Sequence, residues 1–294
     1  MILRLVRLRS PSSIRSGQVL VVVLLMLAVA TTVGLAMVSR SVTEIGVTTT
    51  QEESARALTA AEAGVEAALS AVVAGGTYTV GSTGTTYTVS SEAYGSGGEF
   101  SISRPLTGAE LETVFLSGHD ANGNLVPGQE KYTDNNIRVC WGQNVSAVDA
   151  TAPALEAILY FQTSGQVKVG RMGYDPVDSR RGQNSFQAAG SASDCPAGKT
   201  YAFSTNVALN TLGGYNSGTD NPLLLRLRLL YNGETGHFIG VKAQGGASLP
   251  AQGTNITSAG QSGSTSRKVQ LFQGYGDPFP QFDNAVFSGA GLSK

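Results

Sequence analysis

The chain has 294 residues, of which 41% are hydrophobic and 7% aromatic, and its 20 Lys+Arg against 21 Asp+Glu give a formal net charge of −1. That balance excludes an ordinary nucleic-acid binder, which needs surplus cations to neutralise phosphates, and the apolar content excludes wholesale disorder. Two His and two Cys leave little material for a zinc site or a disulfide-dense scaffold.

The charge is unevenly spread. Residues 1–17 contain Arg4, Arg7, Arg9 and Arg15 and no acid, and Val19–Val38 then reads VLVVVLLMLAVATTVGLAMV, twenty residues without a formal charge. As a helix that run is about 30 Å long, the thickness of the hydrocarbon core of a bilayer. The basic flank before it sets an orientation in which the arginines stay cytoplasmic and the chain beyond about residue 39 is exported. Three readings of this segment compete: a plain uncleaved anchor, a secretory signal peptide cut after Ala28-Val29-Ala30, and a prepilin-type leader cut between Gly17 and Gln18. The third leaves the apolar helix on the mature protein, and the residues beyond the apolar run favour it. No Pro occurs from Ser39 to Ala74, and Leu58, Ala61, Val65, Ala68, Leu69 and Val72 recur at spacings of three and four, an apolar helical stripe. Glu52 and Arg56 stand four apart in the stabilising order. Gly75-Gly76 provides the stop, so one helix is expected over 18–74.

A leader ending in Gly17, an uncharged run, then Glu52-Glu53-Ser54-Ala55-Arg56-Ala57 and Ala60-Ala61-Glu62-Ala63-Gly64 together resemble type IV pilin-like proteins. The likeness is greatest to minor pilins of the PilX type and to tip pseudopilins of type II secretion, and it covers residues 15–70. The resemblance implies cleavage by a prepilin peptidase at Gly17/Gln18 and N-methylation of Gln18. It also implies partners: other pilin-like subunits through the N-terminal helix, an inner-membrane assembly platform, and membrane lipid. Two positions depart from the major-pilin pattern, Gln18 where Phe is usual and Val22 where the family has a glutamate. A carboxylate in lipid or a filament core is costly unless paired, and by resemblance that glutamate pairs with a neighbour's amino terminus. Val22 offers no such pair, which points to a priming or tip subunit.

Beyond residue 75 the chain breaks into short alternating runs punctuated by Gly, Ser, Thr, Asn and Pro. Tyr78–Val80 and Thr86–Val89 read as a hairpin around Gly81-Ser82-Thr83-Gly84. Further strands are expected at Glu99–Ser103, Glu112–Leu116, Asn136–Trp141, Leu155–Gln162, Gln166–Met172, Thr200–Asn206, Leu223–Tyr231, His237–Lys242, Lys268–Gly274 and Asn284–Phe287. In Leu225-Arg226-Leu227-Arg228-Leu229 the leucines take one face and the arginines the other, so Arg226 and Arg228 are expected on a solvated outer face, with an anion site as the alternative. Asn210–Asn221 and Gly245–Ser266 read as long exposed loops. The aromatic stretch from Pro278 to Ser288 is expected to dock the carboxyl end on a sheet. The expected fold class is therefore α+β: a basic leader (1–17), a long helix (18–74, transmembrane over 19–38) and an exported, mainly antiparallel β domain (75–294), a sandwich or a pair of small sheets.

Few residues carry chemistry. Asp120, Asn122 and Asn124 alternate like the start of a calcium loop, but Gly123 is misplaced and no twelfth-position Glu is present, so a turn-rich loop tip is the default reading and no metal is expected. His119 and His237 have no Cys or carboxylate at ligand or triad spacing, and no Gly-x-Ser-x-Gly elbow or Walker loop is present. Two sequons, Asn144-Val145-Ser146 and Asn255-Ile256-Thr257, match an acceptor pattern that is common by chance. Cys140 and Cys195 either form a bridge in the exported part, or Cys140, beside Trp141, is a small buried hydrophobe. No cofactor and no enzymatic activity are expected. The expected function is structural, a minor subunit of a type IV pilus or related secretion filament. The rival readings are an anchored extracellular adhesin that does not polymerise and a tethered hydrolase.

Overall fold

The computed structural model describes residues 16–70, 75–81, 84–108 and 110–277. Helix α1 (Ser16–Leu69) comes first, then strands β1 (Gly76–Val80), β2 (Thr85–Tyr94), β3 (Glu99–Ser101), β4 (Leu111–Phe115), β5 (Asn136–Trp141), β6 (Ala154–Thr163) and β7 (Gln166–Asp175). A short helix α2 (Asp178–Asn184) precedes β8 (Gln187–Ala188), β9 (Gly190–Ser191) and β10 (Phe203–Ala208), and the chain continues with β11 (Asn221–Leu230), β12 (Ile239–Ala243), β13 (Gly253–Ser262) and β14 (Thr265–Gly274). All strand pairs with a recorded register are antiparallel except β7 with β8. The architecture is α+β, a long apolar N-terminal helix followed by a mostly antiparallel β region. The chain divides into two compact units, residues 1–89 with 258–269, and residues 90–257 with 270–294.

In the first unit the C-terminal half of α1 packs on strands through small residues. Ala57, Ala60, Ala61, Gly64 and Val65 are the buried positions of α1, whereas Leu58 and Leu69 of the expected apolar stripe are exposed. The reason is closeness of backbone. A Cβ at Gly260 would fall on the carbonyl oxygen of Ala57 and the backbone nitrogen of Ala61, so a strand at that distance admits Ala and Gly but no leucine. α1 ends at Leu69, short of the expected Ala74; residues 71–74 lie outside the described residues.

The second unit contains two five-stranded sheets, ordered β3-β12-β5-β10-β9 and β4-β11-β6-β7-β8. Alternation supplies the core: Ile137, Val139 and Trp141 from β5 join Leu155, Ala157, Leu159 and Phe161 from β6 and Leu225, Leu227 and Leu229 from β11 in one buried cluster. Each such leucine contributes about 1.5–3 kcal/mol by leaving water. The Trp141 indole N–H donates to the Pro153 carbonyl at 2.8 Å, which satisfies the one polar atom of a fully buried side chain.

Three expectations are corrected. The arginine face of β11 is covered: Arg226 is 1% exposed and its guanidinium lies 3.1 Å from the carboxylate of Asp277, while Arg228 reaches Glu156 at 3.5 Å. The register places Thr113, Arg226 and Ile158 side by side on this face, and the chain returns over it at Asp277, so the strand is buried on both sides rather than one. Within Gly245–Ser266, residues 253–262 form β13 instead of loop. Within Asn210–Asn221, Leu212 and Tyr215 are buried after a 3₁₀ turn at Leu209–Thr211. The expected strand at Asn284–Phe287 and the docking of the Pro278–Ser288 stretch lie outside the described residues.

Candidate functional site

α1 is one element in two environments. From Gln18 to Glu52 every residue is exposed, including Val19–Leu27, Val29, Val33, Leu35, Met37 and Val38. Among the described residues α1 is the one helix long and apolar enough to cross a membrane. Val, Ile and Leu side chains left in water on this scale are unfavourable by about 25 cal/mol per Å², and an exposed apolar run of this length is compatible with a single membrane span. The hydroxyls of Thr31 and Thr32 inside the run donate to carbonyls one turn back, Thr31 to Leu27 and Ala28 and Thr32 to Val29. No hydroxyl hydrogen need then face an apolar surrounding.

Past residue 52 the helix acquires partners. The carboxylate of Glu53 accepts from the Ser264 N–H at 3.2 Å, the Ser264 hydroxyl at 3.3 Å and the Thr265 hydroxyl at 3.4 Å, and the Arg267 Nε–H donates to the Ser54 hydroxyl at 2.8 Å. These contacts seat the tip of the β13–β14 hairpin on α1. Gly263 at that tip has φ +55° and sits against the Glu53 carboxylate, where the turn needs a positive φ and a side chain would displace the acid. Nothing local in the sequence separates Glu53 from its neighbour Glu52, which pairs instead with Arg56 along the helix; the distinguishing signal is the small, hydrogen-bonding tip Gly263-Ser264-Thr265 more than two hundred residues later.

Gly17 and Gln18 lie in the opening turn of α1, Val22 lies in its exposed apolar run, and residues 1–15 are outside the described residues. Cys140 and Cys195 are joined by a disulfide with a Cα–Cα distance of 5.9 Å, which ties β5 to the segment before β10. Asp120, Asn122 and Asn124 are brought together, but by hydrogen bonds to one another: the Asp120 carboxylate accepts from the backbone N–H groups of Asn122 and Asn124 and from the Asn124 side-chain amide. Those bonds, the Asn124 backbone bond foremost, hold its carboxyl below the usual range. No group of three or more His, Cys, Asp or Glu placed to hold a metal occurs among the described residues.

The histidines are apart. His119 stacks on Tyr275 with ring centroids 3.7 Å apart and meets Phe115 edge-on at 4.5 Å, and burial lowers its pKa. His237 is 2% exposed, its Nδ1 accepts from the Gln143 N–H at 3.0 Å, and burial lowers its pKa as well. Both are therefore neutral packing groups near pH 7. A further buried ionic centre has no local signature in the sequence. Asp175, fully buried, accepts from Arg180, Asn184 and the Val177 N–H, while Arg180 also donates to the carbonyls of Ala150 and Ala152 and covers the Tyr231 ring at 4.4 Å. These bonds tie α2 to the end of β7 and to the segment before β6, a structural use of charge. Compared with family models, with curated proteins and with solved structures, the chain finds no match in any of the three.

Proposed function

We propose that this protein is a minor, priming or tip-located, subunit of a type IV pilus or a related pilus-like secretion filament, held in the cytoplasmic membrane before assembly with its β region exported. The observation that carries the reading is the division of labour along α1: 54 residues of uninterrupted helix, about 80 Å long, exposed and apolar in the first half and packed on strands through Ala and Gly in the second. An apolar first half long enough to span a bilayer suits a helix held in lipid, and the small residues of the second half let strands seat closely on the same helix. Val22 in the apolar run supports a minor role, since a chain without a carboxylate there brings no acid to pair with a neighbour's amino terminus.

The experiment is amino-terminal sequencing with intact-mass measurement on protein recovered from the membranes of its own host. The expected product begins at N-methylated Gln18. A start at Thr31 would make the chain a secreted protein, and a start at Met1 would make it an anchored surface domain that does not polymerise; either result overturns the proposal.

A further inference from the structure

The terminal strand β4 borders a cleft of about 200 Å³ inside the second unit. That volume is below the roughly 300–1,000 Å³ of sites that enclose a whole small molecule, and matches a single inserted side chain better. Its walls are aromatic: Tyr94 meets Phe272 with centroids 4.5 Å apart and Phe100 at 5.7 Å, Phe115 meets Tyr275 at 6.0 Å, and Phe272 is 48% exposed. Its charged groups are mostly committed. Arg104 pairs with Glu110 at 3.2 Å, and Asp277 accepts from Thr113 at 2.8 Å and Arg226 at 3.1 Å. Glu112 differs. No hydrogen-bond donor meets its carboxylate among the described residues, and burial, opposed by Arg104 and reinforced by Asp277, raises its pKa.

The backbone of β4 adds an independent feature. Both main-chain groups of Phe115 are met by one side chain: the Gln252 amide oxygen accepts from the Phe115 N–H at 2.7 Å, and its nitrogen donates to the Phe115 carbonyl at 3.1 Å. Gln252 thus stands in for one residue of a neighbouring strand. The β4–β11 register runs without a shift from Leu111 to Phe115, and in an antiparallel ladder alternate residues direct N–H and C=O to the same side. Thr113 and Leu111, two and four positions before Phe115, therefore turn their N–H and C=O groups away from β11, along the stretch that lines the cleft.

We propose that this cleft captures an extended basic segment of a partner protein, which adds a strand to the edge of β4 at Leu111 and Thr113 and places a lysine or arginine side chain among the aromatic rings against Glu112. Main-chain bonds to the edge supply affinity and the pocket supplies side-chain choice, the division expected of strand addition. A cation gains from the ring faces and supplies the half-buried carboxylate with a donor. This inference does not depend on the filament reading.

The test uses the full chain in detergent micelles and a terminally blocked, β-prone octapeptide with one central lysine, monitored by fluorescence anisotropy. Replacing that lysine by norleucine or glutamate is expected to weaken binding at least tenfold, as is Glu112→Gln, and N-methylation of alternate peptide amides is expected to abolish it. Leu111→Pro, at the first strand position where proline is tolerated, removes an outward N–H and is expected to weaken the lysine peptide without altering thermal unfolding. The peptide-side changes leave the protein untouched, so they decide the matter even if a variant fails to fold. Absence of binding at millimolar peptide, indifference to the lysine, indifference to N-methylation, or preference for a chito-oligosaccharide over every peptide would each overturn the proposal.

Discussion

Glu53, in the C-terminal half of α1, accepts from the backbone N–H of Ser264 at 3.2 Å across 211 residues of sequence, and with it from the hydroxyls of Ser264 and Thr265. A carboxylate that gathers one amide and two hydroxyls makes charge-assisted bonds, each worth more than a neutral one, although partial exposure reduces the gain. Glu53→Ala is expected to cost about 1–2 kcal/mol and, more diagnostically, to release the hairpin tip. Amide exchange at Ser264 and Thr265 should accelerate while that of the β5–β10 pair stays unchanged; uniform acceleration would show that the contact does not act locally.

Gly260 is a site where even one methyl group has no room, because the atoms it would meet are the backbone of Ala57 and Ala61. Gly260→Ala should destabilise by about 2–3 kcal/mol through overpacking, read as a lower thermal midpoint. Since the obstacle is main chain, Ala57→Gly in the same molecule should restore nothing. Recovery in the double variant would mean that side chains set the spacing.

Asp175 titrates in a window that can be worked out. Burial acts to raise its pKa, but hydrogen bonds from Arg180, the Val177 N–H and Asn184 outweigh it, and the folded value lies below the ordinary 3.8. The unfolded chain therefore binds the proton first, and the contribution is present above about pH 4 and lost as pH falls through the folded value. Urea midpoints of the native protein should decline steeply from pH 5 to pH 2. Asp175→Asn, which leaves the partly buried Arg180 opposite a neutral amide, should cost about 3 kcal/mol at pH 7 and flatten that decline; a parallel decline would assign the acid sensitivity to other groups.

The bridge between Cys140 and Cys195 spans 55 residues, and closing a loop of that size restricts the unfolded chain by about 4 kcal/mol in the chain-entropy account. Reduction should lower the melting temperature by on the order of 10 °C, with no change in the number of unfolding transitions. A shift under about 2 °C would mean that the native packing of β5 against β10 and β12 carries the stability by itself.

Whether a residue's place is legible in the chain depends on whether one element or two set its surroundings. Val19–Val38 is legible because hydrophobicity over twenty positions needs no partner to interpret. Asn136–Trp141 is legible in the same way, its alternation meeting a core on one face. Arg226 misleads because its cover is brought by Asp277, fifty-one residues on, and a period-two pattern says which residues share a face without saying what lies over it. β13 misleads because its residues are small and polar for a tertiary reason, the backbone of α1 pressing on Gly260, while composition alone assigns Gly, Ser and Thr to loops. Glu112 reads correctly as a strand residue, but its cleft depends on Gln252 and on the end of β14, and no local signal joins them.

α1 is weakest between its two environments. Ser39–Thr50 is exposed throughout, so no packing supports it. Its composition is poor for a helix: Val42, Thr43, Val47 and Thr48–Thr50 each cost up to about 0.7 kcal/mol against Ala, and Gly46 about 1. The hydroxyls of Thr43, Thr48, Thr49 and Thr50 all bond the carbonyl four residues back, an arrangement that bends helices slightly. Against this stand one ion pair, Arg40 with Glu44 at 3.0 Å, worth a few tenths of a kcal/mol in the exposed setting, and continuity with helix on either side, packed on strands after residue 56 and, on the proposed reading, shielded by lipid over 20–38. Amide exchange of the full chain in nanodiscs should therefore be fastest within α1 at residues 40–50, slower over 20–38 and slowest over 57–66. Gly46→Ala with Thr49→Ala should slow the middle segment several-fold and leave the flanks alone. Protection as strong at Val47 as at Ala60 would show that something besides the helix itself, such as a neighbouring subunit or the membrane surface, holds this stretch straight.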